Sequence, residues 1–195
     1  MKLCILAAGK GSRNRYSKIL PKGFLPINDK PGITHIIDSL PELSEVVIAI
    51  GDDGDIYEQF FPILYPNTKF IFVKIENQIL SDLKKHKVKM ICLAGFMEIL
   101  SRNFITKFKG KILNIHPSLL PKYKGLNTHQ RALDNKEKYS GCTVHFVNSK
   151  LDSGKIILQK KVKITKNETK GSLARKVLVE EHKLYPRAIL KIFNL

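Results

Sequence analysis

Apolar residues come in short blocks of two kinds along this chain. The first kind is continuous or β-branched and ends at a glycine, a proline or a polar turn: KLCILAAG, EVVIAIG ending at Gly51, KFIFVKI, KMICLAGF and KILNIHP. Runs of about four to eight such residues predict strands buried on both faces. The second kind repeats with a helical period. ITHIIDSL puts Ile33, Ile36, Ile37 and Leu40 on one helical face, and NQILSDLKKHK has apolar residues at positions 79, 80 and 83. DIYEQFFPILYP predicts a helix that runs up to Pro62, where the missing N–H and the ring oppose continuation. SRNFITKF reads as a short helix capped by Ser101, and LNTHQRALDN as a helix ending near Asn135. GCTVHFVNS and KIILQKKVKI predict two strands that are antiparallel neighbours. The segment from Ser172 to Phe193 predicts a long helix interrupted or kinked at Pro186.

Repeated strand–helix–strand units predict an α/β fold, a Rossmann-like and mainly parallel sheet with helices on both faces. Crossovers should be right-handed. Ligands in such sheets sit outside the carboxyl ends of the strands. This singles out three loops: the one after Ala8, the one after Gly95 and the one holding His116. No repeat, low-complexity linker or break in composition interrupts the 195 residues, so one domain over 1–195 is expected.

Composition changes the picture little. With 43% hydrophobic and 26% charged residues the chain reads as soluble and globular. No apolar run approaches the roughly 20 residues that span a bilayer. LCILAA is too short for a signal-peptide core, so a cytoplasmic protein with no membrane partner is expected. Cys4, Cys92 and Cys142 each lie in an apolar segment without a C-x-x-C pair, and are expected as buried reduced thiols with no metal. The net charge of +17 has three explanations: nucleic acid, an anionic small ligand, or a lysine-rich bias without function. The lysines are spread along the chain and not interleaved with aromatics, which disfavours nucleic acid.

The chemistry enters with LAGFMEILSRNFITKFKGKILNIHPSLLPKYKGLNTHQRALDN, followed by GCTVHFVNSKLDSGKIILQ and the late EEHKLYP. From about Val88 to Pro186 the chain resembles the folate-dependent formyltransferases. Asn-x-His-Pro-Ser-Leu-Leu-Pro, a downstream Thr-His-x-x-Ala-Leu and a later Leu-Asp-x-Gly rarely occur together by chance. The segment Thr128–Leu133 favours the branch that acts on glycinamide ribonucleotide in purine synthesis. Relatives acting on methionyl-tRNA or sugar nucleotides usually carry a tryptophan-containing segment there, and this chain has no Trp.

The resemblance implies 10-formyltetrahydrofolate as co-substrate and small-molecule substrates only; monomer and homodimer both stay open. An amine attacks the formyl carbon and an oxyanion forms, which needs hydrogen-bond donors. Asn114 and His116 are suited, and their spacing of two on a strand end points both to one side. Asp152 is the expected acid/base, directly or through water, and a partner that holds His116 charged. His129 is expected to orient the loop, and His145 either to face the core or to support Asp152. The family's folate pocket maps onto Glu98, Ile99, Leu100 and the loop from Val147 to Asp152. Glu98 departs from a frequent arginine, and Asn127 from a frequent histidine. Glu181 matches the glutamate that contacts the sugar portion of the amine substrate.

Residues 2–77 are different. LAAGKGSR, PKGFLPINDKPGITHIIDSL and EVVIAIGDDGDIYEQFF resemble the start of sugar-phosphate nucleotidyltransferases, whose glycine loop and lysine hold nucleotide phosphates. Those enzymes need a magnesium-binding aspartate after a later strand, which KMICLAGF lacks, and are much longer. The domain is thus expected as a nucleotidyltransferase-like front half, 1–77, and a formyltransferase catalytic half, 78–195. In the formyltransferases a Gly-x-Gly-Ser-Asn loop binds the substrate phosphate. Gly9-Lys10-Gly11-Ser12-Arg13 stands in its place, so Gly11, Ser12 and Arg13 are the expected phosphate grip. The expected function is formyl transfer to glycinamide ribonucleotide. Formylation of a nucleotide-linked amino sugar is the alternative, and nucleotidyl transfer the less favoured one.

Overall fold

The structure, a computed structural model, describes residues 2–6, 26–27, 30–31, 33–40, 45–50, 55–74, 79–93 and 100–193. The chain divides into two compact units, Met1–Ile112 and Leu113–Leu195. The first holds strands β1 (Lys2–Leu6), β2 (Pro26–Ile27) and β3 (Lys30–Pro31), helix α1 (Thr34–Asp38), β4 (Glu45–Ile50), α2 (Asp55–Leu64), β5 (Lys69–Lys74), α3 (Ile79–Lys85), β6 (Met90–Leu93) and α4 (Arg102–Lys107). β1 pairs in parallel with β4 on one side and β6 on the other, and β4 pairs in parallel with β5. Cys4 thus faces Val47 and Ile91 across the ladder. Val46 to Ile50 and Met90 to Leu93 are all buried, as continuous apolar runs in a parallel sheet should be. Ile33, Ile36, Ile37 and Leu40 are buried together, as the helical period predicts. Ser101 caps α4, its hydroxyl accepting from the Phe104 N–H at 3.1 Å. The short antiparallel pair β2–β3 was not predicted.

Helix α2 corrects one expectation, because it passes through Pro62 and ends at Leu64. The reason lies in what the last turn packs against. Phe61 is fully buried, with ring centroids 5.8 Å from Tyr57, 6.0 Å from Tyr65 and 5.3 Å from Phe70. Aromatic burial of this kind outweighs the single hydrogen bond that Pro62 withholds from the Glu58 carbonyl. The Tyr65 N–H still reaches the Phe61 carbonyl at 3.0 Å.

The second unit takes most of β7 (Lys111–His116), then α5 (Thr128–Asp134), β8 (Tyr139–Phe146), β9 (Ile156–Lys163) and α6 (Lys170–Phe193). β8 is antiparallel to both β7 and β9. The β8–β9 pairing was expected and the β7–β8 pairing was not. Helix α6 starts at Lys170, two residues earlier than expected, and is not interrupted at Pro186. A reciprocal cap explains the earlier start. The Ser172 N–H donates to Thr169 Oγ1 at 3.1 Å, and the Thr169 N–H to Ser172 Oγ at 3.0 Å. Pro186 is buried within a face that includes Leu173, Val177, Leu184, Tyr185, Ala188 and Ile189, so packing holds the helix together across the missing bond. The Tyr185 hydroxyl also donates to the Leu113 carbonyl at 3.1 Å, tying α6 to β7. The α/β class and the parallel pairing of the strand runs agree with the sequence. All three cysteines are buried and free.

Candidate active site

The C-terminal ends of β7 and β8 carry Asn114, His116 and His145. In their antiparallel register Asn114 lies opposite His145, and His116 opposite Thr143. Side chains of paired residues share a face, so Asn114, His116 and His145 project to the same side. Asn114 Nδ2–H donates to His145 Nε2 at 3.4 Å, and His145 Nδ1–H donates to the Phe146 carbonyl at 2.8 Å. The second bond fixes the tautomer and leaves Nε2 as the acceptor. Burial lowers the His145 pKa from 6.5, with only partial opposition from the Phe146 carbonyl and Asp152. The ring is therefore neutral, and it fixes the amide of Asn114. One amide proton goes to His145, and the other is left for a ligand.

Asp152 completes the group from the loop between β8 and β9. Its carboxylate is nearly buried, with the side chain 8% exposed. Oδ2 accepts from the Gly125 N–H at 2.8 Å and lies 3.3 Å from His116 Nδ1. His116 Nε2–H donates to the Tyr123 carbonyl at 2.9 Å. Both ring nitrogens of His116 thus face acceptor oxygens. Oδ1 lies 3.7 Å from His145 Nε2. That nitrogen offers a lone pair, so Oδ1 receives no hydrogen bond from it. Asp152 can therefore accept a proton at Oδ1 while Oδ2 stays anchored.

The loop is shaped for this placement. Asp152 has φ 44, in the left-handed region, at a cost of about 1 kcal/mol. Gly154 is required beside it, since a Cβ there would meet the Phe146 carbonyl oxygen at 1.6 Å. The close approach lets the Phe146 N–H reach the Lys155 carbonyl at 3.0 Å. The β8–β9 register shifts between Val144 and His145, a local irregularity of the sort that re-aims side chains.

The other expected residues are placed as follows. Val147 is half-buried directly after β8, in the loop that carries Asp152, and Leu100 is half-buried just before Ser101. Glu98, Ile99, Gly11, Ser12 and Arg13 lie outside the described residues. Glu181 lies half-buried on α6. Together with burial, the larger cause, its charge helps push the Cys142 thiol up to about 12. Asn127 precedes α5 with φ 57, a conformation asparagine tolerates better than histidine. His129 follows on α5 with a buried Nδ1 that has no hydrogen-bond partner; burial, then Lys170 and His116, lower its pKa. No group of three or more His, Cys, Asp or Glu side chains among the described residues is arranged to hold a metal. No helix among them is long and apolar enough to cross a membrane.

Sequence reasoning left His145 between two roles and did not connect it to Asn114. It also missed Gly125 and Tyr123, which hold Asp152 and His116 through a backbone N–H and a carbonyl that carry no side-chain signature.

His145 and His129 make stability depend on pH. Both have folded-state pKa values below 6.5, so in mildly acidic solution the unfolded chain binds more protons. Their contribution is intact above about pH 6.5 and is lost as pH falls below it. Thermal melting between about pH 8 and 5 should show a falling Tm, with a shallower fall in His145→Asn. An identical slope in the variant would show that His145 is not one of the groups responsible.

Residues 72–189 match the formyl transferase family. The chain is 41% identical over 114 residues to the phosphoribosylglycinamide formyltransferase of Escherichia coli, covering 58% of this chain and 54% of that protein. It is 52% identical over 109 residues to the trifunctional purine biosynthetic protein adenosine-3 of Chironomus tentans, covering 56% of this chain and 8% of that one. The chain thus spans about half the length of the bacterial relative and under a tenth of the trifunctional one. The crystal structure of phosphoribosylglycinamide formyltransferase from Brucella melitensis aligns with a TM-score of 0.71 and 33% identity, over 98% of this chain and 94% of that one. This alignment takes in the front half as well. Asn114, His116 and Asp152 all fall inside the matched residues, and the chain belongs to the formyl transferase family.

Proposed function

We propose that this chain is a folate-dependent formyltransferase that moves the formyl group of 10-formyltetrahydrofolate to the amine of glycinamide ribonucleotide. The observation that carries the reading is the cluster of Asn114, His116, His145 and Asp152, two donors facing one side with a half-engaged carboxylate beside them. The matching relatives named as phosphoribosylglycinamide formyltransferases support the choice of amine.

In this reading the amine nitrogen attacks the formyl carbon, and the carbonyl oxygen becomes an oxyanion. The free amide proton of Asn114 and the loosely held Nδ1–H of His116 donate to it. Asp152 Oδ1 takes the proton that the attacking nitrogen sheds, directly or through a water. The proton passes to the folate nitrogen as the carbon–nitrogen bond breaks, giving the formamide and tetrahydrofolate. Gly11, Ser12 and Arg13 grip the substrate phosphate, Glu181 its sugar, and Glu98, Ile99, Leu100 and Val147 line the folate pocket. The protein works in the cytoplasm on small molecules, without a metal.

The test is the absorbance of folate deformylation by purified protein given 10-formyltetrahydrofolate, with and without glycinamide ribonucleotide. Turnover that requires the ribonucleotide is expected. Turnover with an amino-sugar nucleotide and none with glycinamide ribonucleotide would overturn the choice of amine.

A further inference from the structure

A concave site is lined by none of Asn114, His116, His145 and Asp152. Leu119, the Lys122–Tyr123 turn, the Lys136–Ser140 segment and Lys161 enclose a cavity of about 570 Å³, large enough for a small organic ligand. Its floor is apolar for a specific reason. Gly141 lies opposite Lys161 in the β8–β9 ladder, and a Cβ there would meet Leu119 Cδ2 at 2.8 Å and the Lys160 carbonyl oxygen at 2.0 Å. The missing side chain lets Leu119 settle onto the strand. Tyr139 stands at the edge, 49% exposed, on the same face of β8 as Gly141.

The charge of the cavity is one-sided. Its carboxylate, Glu137, is already engaged by Lys122 Nζ at 2.6 Å and by the Tyr123 hydroxyl at 2.8 Å. Lys122 accordingly holds the Glu137 carboxyl below the usual range. Lys136, Lys138 and Lys161 also line the cavity, and no carboxylate among the described residues pairs with them. Three uncompensated cations around an apolar floor with a half-exposed aromatic ring suit a ligand that is flat and apolar at one end and polyanionic at the other.

We propose that this cavity binds a nucleoside diphosphate, with the base against Tyr139 and Leu119 and the phosphates on Lys136, Lys138 and Lys161. None of its lining residues among those described belongs to the proposed phosphate grip of the formyl acceptor. It backs directly onto the loop whose Tyr123 carbonyl holds His116.

The test is calorimetric titration of the full chain with ADP, in the absence of folate and glycinamide ribonucleotide. Saturable binding is expected, weakened by at least about tenfold in Lys138→Glu/Lys161→Glu, since each charge-assisted contact contributes about that factor. Both lysines are exposed, so the variant should fold. Tyr139→Ala removes the ring alone. It should weaken ADP and leave inorganic pyrophosphate unaffected. ADP binding that survives the lysine variant, no binding at millimolar ADP, or an oligonucleotide that binds through these lysines where ADP does not would each overturn the proposal.

Discussion

Asp152→Asn should lower turnover by about 10²–10⁴-fold while leaving the fold intact. Both halves of the prediction follow from the geometry. Asparagine is among the residues that tolerate a φ of 44, and its amide oxygen can still accept from the Gly125 N–H. The protein should therefore melt close to the wild type. What disappears is chemical. An amide at that position takes no proton from the attacking amine, and its loss of charge leaves His116 Nδ1–H without a carboxylate partner. Steady-state assays with saturating folate check it. Turnover within about threefold of wild type would remove Asp152 from the proton path.

Gly154→Ala should cost about 3 kcal/mol of stability and most of the activity of the folded fraction. The Cβ would sit 1.6 Å from the Phe146 carbonyl oxygen, so the backbone must part. That carbonyl is also the acceptor for His145 Nδ1–H, and His145 in turn holds the amide of Asn114. One methyl group therefore disturbs the loop carrying Asp152 and the tautomer that aims Asn114. Gly125→Ala is the control. Gly125 has φ 73, but its Cβ would meet only Leu151 Cδ2 at an ordinary 3.5 Å, so the cost should stay near 1 kcal/mol. Urea midpoints at unchanged slope measure both. Equal losses in the two variants would mean that the contact with Phe146 does not matter.

Much of this was legible in the sequence because it depends on local pattern. Continuous burial of Val46 to Ile50 follows from a β-branched run, and the buried face of Ile33, Ile36, Ile37 and Leu40 from a helical period. The common side of Asn114 and His116 follows from strand geometry alone. The stop expected at Pro62 and the interruption offered at Pro186 do not occur, because intrinsic preference yields to packing. Phe61 keeps α2 helical past Pro62, and the buried face around Pro186 keeps α6 whole. His145 was ambiguous because its role depends on β7–β8 register. Those strands are joined by a long connection through α5, not by a short hairpin whose turn would set the pairing. Asp152 before Ser153 and Gly154 looks like a turn in sequence. Only the folded loop reveals that Gly154 is there to clear a carbonyl, and that Gly125 supplies the donor.

The most direct measurement follows the formyl carbon itself. The protein is incubated with 10-formyltetrahydrofolate labelled with ¹³C at the formyl group and with glycinamide ribonucleotide, and the products are read by mass spectrometry. Formyl transfer predicts one labelled carbon in the ribonucleotide formamide for each tetrahydrofolate released, and almost none of it with Asp152→Asn. Label recovered only as free formate, or no loss of label from the folate in a folded sample, would contradict the account.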